Sequence, residues 1–537
     1  MGAPTRSTFG DPAWWQLPLL LVLSVAFESL FLHNGLNLLD EGWPLYAAMR
    51  LHAGGILYQD VFWVFPPGAL LPAWLGYALE PPGVVAARVI YAGFDVALCG
   101  AVYGLGRRLM TPSYAFLGAA LLAVAAPLSH IVQVVFGFRY LLFSVLALLC
   151  FSQRLRAGQA RWLVAAGCFS GVALLFRLTP AFAVCAGIGV GILAADRSWR
   201  RWLGDALYFS AGLAVVVAPA LLYFAAGVGL EVIWSEVVVR PLRMTELQAL
   251  PVPALHFPQS LDRWQLEHAF SMLEFRLYPL LYLGYAGVLG WRWLSALRAG
   301  KAFDDVLLLS TVVWGGVYLL RSFGRADIPH LESAIPPVCL LIARLVQPRA
   351  SRRPARAWAT ALRIGAVFCA WVLLKGVDLY AMPETRGQRP VAALSGEIRA
   401  IPDVLRMVDP AVRAIDRFSS PGDILLDLSA SPLIYVLSGR SGVGHSDLLM
   451  PGTLLDEEES VFLERIVAAS PALVLMPRQA FDARPERGVW VTAPRIFEWV
   501  REHYVLRSEL PAYFLLGRRP ADTAPEEGAS GGAAPES

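Results

Sequence analysis

The chain has 537 residues, of which 56% are hydrophobic and only 16% charged. Soluble domains run at roughly 45–50% apolar and ~25% charged, so the composition argues against an ordinary soluble enzyme and excludes a disordered chain or a disulfide scaffold. The formal charge of +3 is too even for a nucleic-acid binder, and the six cysteines lie in apolar stretches with no CxxC pair, leaving a structural zinc site without support.

A bilayer core of about 30 Å takes about 20 apolar residues to cross as a helix. Eleven apolar segments answer to this, at 15–33, 83–106, 113–131, 137–153, 161–177, 179–195, 203–226, 271–291, 303–320, 334–347 and 358–378. The first is followed by His33, Asn34 and an acidic turn rather than by a small-residue cleavage site, so it reads as a retained span. Every second connection is basic: Arg107 and Arg108; Arg154, Arg156 and Arg161; Arg197, Arg200 and Arg201; Arg292, Arg298 and Lys301; Arg344, Arg349, Arg352, Arg353 and Arg356. Basic loops stay inside, which predicts a cytoplasmic N-terminus and an extracytoplasmic C-terminal region. The outer connections, 34–82, 227–270, 321–333 and all after 379, hold the acids, arginines and histidines that chemistry would use.

After the last span the pattern changes to a soluble α/β domain, 379–519, following the membrane domain 1–378. A helical run from Val391 to Phe418 leads through Pro421-Gly422 to a strand at Asp423–Ser429. A second strand is predicted at Ala472–Met476 and a closing strand pair at Tyr504–Leu516. The tail 520–537, rich in Ala, Gly, Pro, Ser and Glu, reads as disordered. The expected fold class is a polytopic α-helical membrane protein, with about 11 transmembrane helices, two interfacial helices and a C-terminal α/β domain.

The most informative stretch follows the first span: Leu39-Asp40-Glu41-Gly42-Trp43-Pro44, continuing to Arg50, then Tyr58-Gln59-Asp60, then Phe65-Pro66-Pro67-Gly68 opening a helix over 66–80. The two helices are short for spans and are expected at the interface. Acids before a helix with proline in its first turn are ordinary capping chemistry, which does not exclude catalysis.

This order of a first span, an acidic pair and two interfacial helices resembles the GT-C superfamily of membrane glycosyltransferases, most nearly its bacterial aminoarabinose-transferase and protein-mannosyltransferase-like branch. Phe138-Arg139-Tyr140-Leu141-Leu142 resembles that branch's Arg-Tyr pattern after the third span, and the loop from Arg321 through Arg325, Asp327 and His330 to Glu332 resembles a polar outer loop of its bacterial members. The resemblance implies a polyprenyl-phosphate sugar donor, transfer with inversion to a glycan, lipid or protein acceptor, and a location in the bacterial inner membrane. It also implies that Asp40 is the base deprotonating the acceptor hydroxyl, with Glu41 its positioner or a metal ligand. A divalent metal held by Asp40 and Glu41 is the one cofactor suggested. The sequence departs from the branch at one point: Phe65 precedes Pro66 where those enzymes have a lysine facing the lipid phosphate, so another cation must take that role.

Arg139, Arg177, Arg321, Arg325 and His330 fall at predicted outer ends of spans. Singly each could snorkel to headgroups; together they suggest an anion pocket, with Arg325 and His330 preferred as phosphate contacts, then Arg139 and Arg321. Glu28 and Asp95 lie within spans, where acids are functional candidates or buried partners of an arginine such as Arg139 or Arg177. Tyr58 and Asp60 are further candidates. His445, Asp447 and the run Asp456-Glu457-Glu458-Glu459 invite a metal or acceptor reading, against a solvated helix start. The alternative function is a transporter or flippase for a lipid-linked or anionic solute, using the same arginines with Asp95 on its path.

Overall fold

The computed structural model describes residues 13–126, 138–254, 263–348, 357–379, 387–455 and 457–520. Arg349, Arg352, Arg353, Arg356, Asp456, part of the 227–270 connection, the end of the 113–131 segment, the start of the 137–153 segment, the start of the C-terminal region at 380–386 and the tail beyond 520 lie outside the described residues.

The membrane portion is built of helices α1 (Gln16–Phe31), α2 (Gly42–His52), α3 (Leu71–Leu79), α4 (Val84–Leu109), α5 (Pro112–Ala125), α6 (Leu141–Ala157), α7 (Arg161–Phe176), α8 (Leu178–Ala195) and α9 (Trp199–Val228). Then come α10 (Leu230–Trp234) and α11 (Arg240–Leu247), joined by a π-helical turn, and α12 (Arg263–Arg298), α13 (Val306–Leu320), α14 (Ile328–Glu332), α15 (Ile335–Val346) and α16 (Ala357–Leu379). Eleven of these helices overlap the predicted apolar segments. Among the described residues five stretches are long and apolar enough to cross a membrane: α4, α6 with its preceding turn, α8, α9, and α13 with its following turn. Others, such as α1 and α7, are apolar but shorter.

Local chemistry sets the helix ends. Pro112 and Pro336 occupy first turns, where no amide donor is needed, and Gly158 ends α6 in the left-handed conformation. Between α7 and α9 small residues permit close approach: a Cβ on Gly212 would lie 2.0 Å from the carbonyl oxygen of Val164. Such contact is what joins helices where lipid offers no hydrophobic drive. Helix α16 is tied in by Lys375, buried between Glu274 of α12 at 2.7 Å and Glu332 of α14.

The C-terminal domain comprises a hairpin of β1 (Arg389–Pro390) and β2 (Arg399–Ala400), α17 (Pro402–Phe418), β3 (Leu425–Asp427), α18 (Leu433–Ser438), α19 (Glu458–Ala469), β4 (Leu473–Pro477), α20 (Val489–Thr492), α21 (Pro494–His503), β5 (Tyr504–Glu509) and β6 (Tyr513–Arg518). The predicted helical run from Val391 is corrected to a start at Pro402, because the residues before it pair as antiparallel β1 and β2. The main sheet has the order β3-β4-β6-β5, with β3 and β4 parallel and the other pairs antiparallel. Side chains alternate between two buried faces: Leu426 and Val474 meet Phe462, Ile466 and Val500, while Leu425, Leu473 and Leu475 join a core that continues into α2 through Trp43 and Tyr46.

That continuity gives α2 a protein environment: Trp43, Leu45, Tyr46, Ala47 and Ala48 are all buried. The helix is clamped where Gly42 meets α18, a Cβ there falling 2.3 Å from the Leu433 amide nitrogen. Tyr46 donates to Asp447 at 2.5 Å and stacks on Tyr435, and Arg50 reaches Asp447 at 3.6 Å.

Gly212→Leu should overfill the α7–α9 crossing, costing ~1–3 kcal/mol or more and lowering the unfolding temperature in detergent. Gly204→Ala, on the same helix with nothing near its Cβ position, should leave it unchanged or raise it, since alanine is the better helix former.

Candidate functional site

The turn after α1 is folded by its own polar groups. Asn37 Oδ1 accepts from the Leu39 and Asp40 amides at 3.1 and 2.8 Å, and its Nδ2 donates to Asp40 Oδ2 at 3.1 Å. Glu41 turns the other way. Arg88, at 0% exposure, grips both Glu41 oxygens through Nε and Nη2 at 2.6 and 2.7 Å, and donates to the carbonyls of Leu32, Asn34 and Gly35. One guanidinium thereby fixes both the end of the first span and the acidic turn.

Asp40 lines a cavity of about 470 Å³ between the membrane helices and the C-terminal domain. Arg177, Arg321, Arg325, Asp327 and His330 share it, with Phe65 and Pro66 on one wall and Phe481 and Asp482 contributed by the C-terminal domain. Burial pushes the Asp40 carboxyl up to about 7, opposed by the Asn37 hydrogen bond and by the charges of Arg325 and Arg177, with Asp327 adding to the rise.

Each cation in the cavity has a structural origin. Arg177 stands at the extended junction of α7 and α8, its guanidinium 4.6 Å above the Phe65 ring. Arg321, at the end of α13, donates to the Tyr318 hydroxyl at 3.0 Å. Arg325 binds Asp327 at 2.7 Å and Asp482 at 3.0 Å, bridging the polar loop to the C-terminal domain; these carboxylates raise its pKa against the effect of burial. Asp327 caps α14 by accepting the His330 amide at 3.0 Å, and its Oδ1 lies 2.6 Å from His330 Nδ1. Burial holds the His330 imidazole below its ordinary pKa despite Asp327.

The structure therefore brings together Asp40, Arg177, Arg321, Arg325 and His330, and places the other sequence candidates elsewhere. Arg139 is not in the cavity. It is fully buried, 3.4 Å from Asp95 and 4.4 Å above the Tyr91 ring, with the charge of Glu28 nearby. Glu28, Asp95 and Arg139 thus form a buried charge cluster between α1, α4 and the turn before α6, and the Arg-Tyr motif locks helices: Tyr140 donates to the Ala69 carbonyl. Tyr58 donates to the Phe65 carbonyl at 2.7 Å, and Asp60 accepts the Ile56 amide at 2.9 Å, so both shape the loop between α2 and α3. Glu41, with both oxygens held by Arg88, does not join Asp40 in presenting a carboxylate pair to a cation. Among the described residues there is no cluster of three or more His, Cys, Asp or Glu side chains arranged to hold a metal.

The C-terminal acids are engaged within the protein. Glu458 and Glu236 both bind Arg240, at 2.8 and 2.7 Å, and Glu459 accepts the Arg495 and Ile496 amides at the start of α21. His445 lies 3.4 Å from Glu236. Glu458 and Glu459 thus open α19, as a helix start reads, and at the same time tie α11 and α21 to it, while Glu457 is exposed. Sequence reasoning missed Asn37 and Asp482, and quoted Asp327 in the polar loop without giving it a role. The Asn-x-x-Asp spacing of an Asx turn could have signalled the first; Asp482 had no local signal, since it reaches the site only through tertiary docking.

Comparisons with known proteins bear on the fold that carries this cavity. Residues 64–224 match the family described as dolichyl-phosphate-mannose-protein mannosyltransferase. The structure superposes on that of ArnT from Cupriavidus metallidurans bound to undecaprenyl phosphate with a TM-score of 0.58 at 15% identity, covering 96% of this chain and 100% of that one. The same enzyme in the apo state gives a TM-score of 0.56 at 15% identity, over 94% and 98% of the two chains. An Archaeoglobus fulgidus oligosaccharyltransferase in the apo form gives 0.50 at 12% identity, over 88% and 70%. No curated protein matches the sequence. The chain thus shares its fold with the ArnT structures, the fold that its resemblance to the GT-C superfamily leads one to expect.

Glu41→Ala should strand the Arg88 charge and cost about 3–5 kcal/mol, seen as a large fall in unfolding temperature, whereas Asp40→Asn should not. The Asp40 carboxyl binds a proton more tightly folded (about 7) than unfolded (~3.9), so it destabilises the fold increasingly as pH rises between those values. Asp40→Asn should therefore gain stability over wild type at pH 8 but little at pH 4.

Proposed function

We propose that this chain transfers a sugar from a polyprenyl phosphate to an acceptor hydroxyl, with Asp40 as general base. The observation that carries the reading is the placement of Asp40 in a half-buried cavity shared with Arg177, Arg321 and Arg325. An alcohol becomes a competent nucleophile when a positioned carboxylate takes its proton in the transition state. The acceptor oxygen bonds to the anomeric carbon, its proton passes to Asp40, and the bond from that carbon to the phosphate oxygen breaks with the electron pair leaving on phosphate. A single displacement inverts the anomeric centre, and the arginines stabilise the charge on the departing phosphate.

Arg177 supplies the cation that Phe65 does not: its guanidinium stacks on the ring at that position and faces the cavity. Arg321 stands beside it, while Arg325, held by two carboxylates, serves more to close the site against the C-terminal domain. The cation need is met by arginine, and no step is routed through a metal. The transporter reading is weakened because Asp95, its proposed path residue, is fully buried against Arg139. The placement of basic residues supports a cytoplasmic N-terminus, which puts Asp40 and the C-terminal domain on the outer face of a bacterial inner membrane.

Asp40→Asn should lower transfer from an undecaprenyl-phosphate sugar by about 10²–10⁴-fold while undecaprenyl phosphate binding persists; unchanged envelope glycan in that variant would refute the catalytic role. Because the base must be ionised, kcat/KM of the wild type should climb tenfold per pH unit on the acid side and level off near pH 7, where the Asp40 carboxyl titrates. Arg177→Gln should weaken undecaprenyl phosphate binding at least tenfold, since a hydrogen bond to a charged group contributes ~1.5–3 kcal/mol.

A further inference from the structure

A second cavity, of about 730 Å³, opens within the C-terminal domain at the carboxyl ends of the parallel strands β3 and β4, where open α/β sheets place their ligands. Nothing in the proposed chemistry uses it. We propose that this crevice is a binding subsite for a neutral sugar unit of the acceptor; its role as acceptor subsite rests on the reading of Asp40 given above.

One wall is a row of fixed hydroxyls. Buried Asp427, at the end of β3, accepts the Ser429 and Ser431 amides, each at 2.7 Å, and the Ser429 hydroxyl, setting the loop's shape. The Ser431 hydroxyl lies 3.2 Å from that of Tyr513, which opens β6. The two lips hold non-glycine residues in the left-handed region, Ala430 at φ 54° after β3, and Asp482 and Ala483 at 56° and 54° after β4. Backbone held in this sparsely populated region clusters at functional sites.

The charges define the ligand class. Each arginine on the crevice is already paired: Arg406 with Asp403, Arg478 with Glu509, and Arg487 with Asp482. Neutralised cations beside hydroxyls and apolar surface suit a neutral, hydroxyl-rich ligand rather than a phosphate. The crevice also shares a wall with the Asp40 cavity, because Phe481 and Asp482 line both. A glycan seated in the crevice would run past Phe481 and bring its terminal hydroxyl toward Asp40.

The test is saturation-transfer NMR on the intact, detergent-solubilised protein with maltotriose, cellotriose and mannotriose as probes, alongside a separate measurement of undecaprenyl phosphate binding. At least one trisaccharide should bind the wild type. Gln479→Trp, at an exposed position on the crevice, should weaken that binding at least tenfold by filling the crevice, and Tyr513→Phe should weaken it several-fold. Both variants should bind undecaprenyl phosphate as the wild type does. Failure of all three sugars to bind the wild type, or undiminished binding to Gln479→Trp, overturns the subsite. Loss of undecaprenyl phosphate binding in the wild type itself would instead overturn the Asp40 reading, so the two fail separately.

Discussion

The guanidinium of Arg88 carries a constraint on which the site depends. Projecting from the first turns of α4, it takes both oxygens of Glu41 and three carbonyls between the end of α1 and the turn. A buried charge is tolerated only when paired and hydrogen-bonded, and here every partner lies in one short segment. The turn is therefore held at both ends while Asp40, the neighbouring residue, is left to face the cavity. The two adjacent acids divide the work: Glu41 gives up its charge to architecture so that Asp40 can keep a fixed position with a perturbed proton affinity.

The C-terminal domain completes what Arg88 begins. Its β2 strand extends the same turn, with the Arg399 amide donating to the His33 carbonyl at 2.8 Å and the Gly35 amide donating to the Arg399 carbonyl at 2.8 Å. The Leu433 amide donates to the Leu38 carbonyl at 3.1 Å, and Asp482 crosses to Arg325. The domain is thus a wall of the cavity as much as an appendage of the membrane portion. A hydrophobic core running from β4 through α17 and α18 into α2 joins that wall to the membrane portion. Two cavities sharing Phe481 and Asp482 then join the carboxyl edge of the sheet to Asp40.

The charge groups divide along the same line. Deep among the helices, Asp95 and Arg139 pair with one another away from the cavity, as the cost of an isolated charge in the bilayer demands. Those at the outer ends converge on it. Arg177 is the instructive case: a charged residue interrupting two apolar runs, it could as well have snorkelled to headgroups, and its seat above Phe65 is set by the packing of α7 against the loop before α3.

Hydrophobic run lengths in the sequence alone located the helices, because a bilayer leaves a backbone few other ways to satisfy its polar groups. Short apolar runs likewise placed strands at Asp423–Ser429 and Ala472–Met476, and the acidic turn stood out as two carboxylates beside an apolar span. Local pattern could not divide roles among like residues. Glu41 and Asp40 are adjacent, and Arg139 and Arg321 look alike at the ends of apolar runs; which of them is consumed in an ion pair depends on partners 47 and 44 residues away in the chain, Arg88 and Asp95. Nor could it foresee that Asp482, beyond the last span, would meet Arg325. Burial and charge pairing between distant segments decide those questions, and they exist only once the chain has folded.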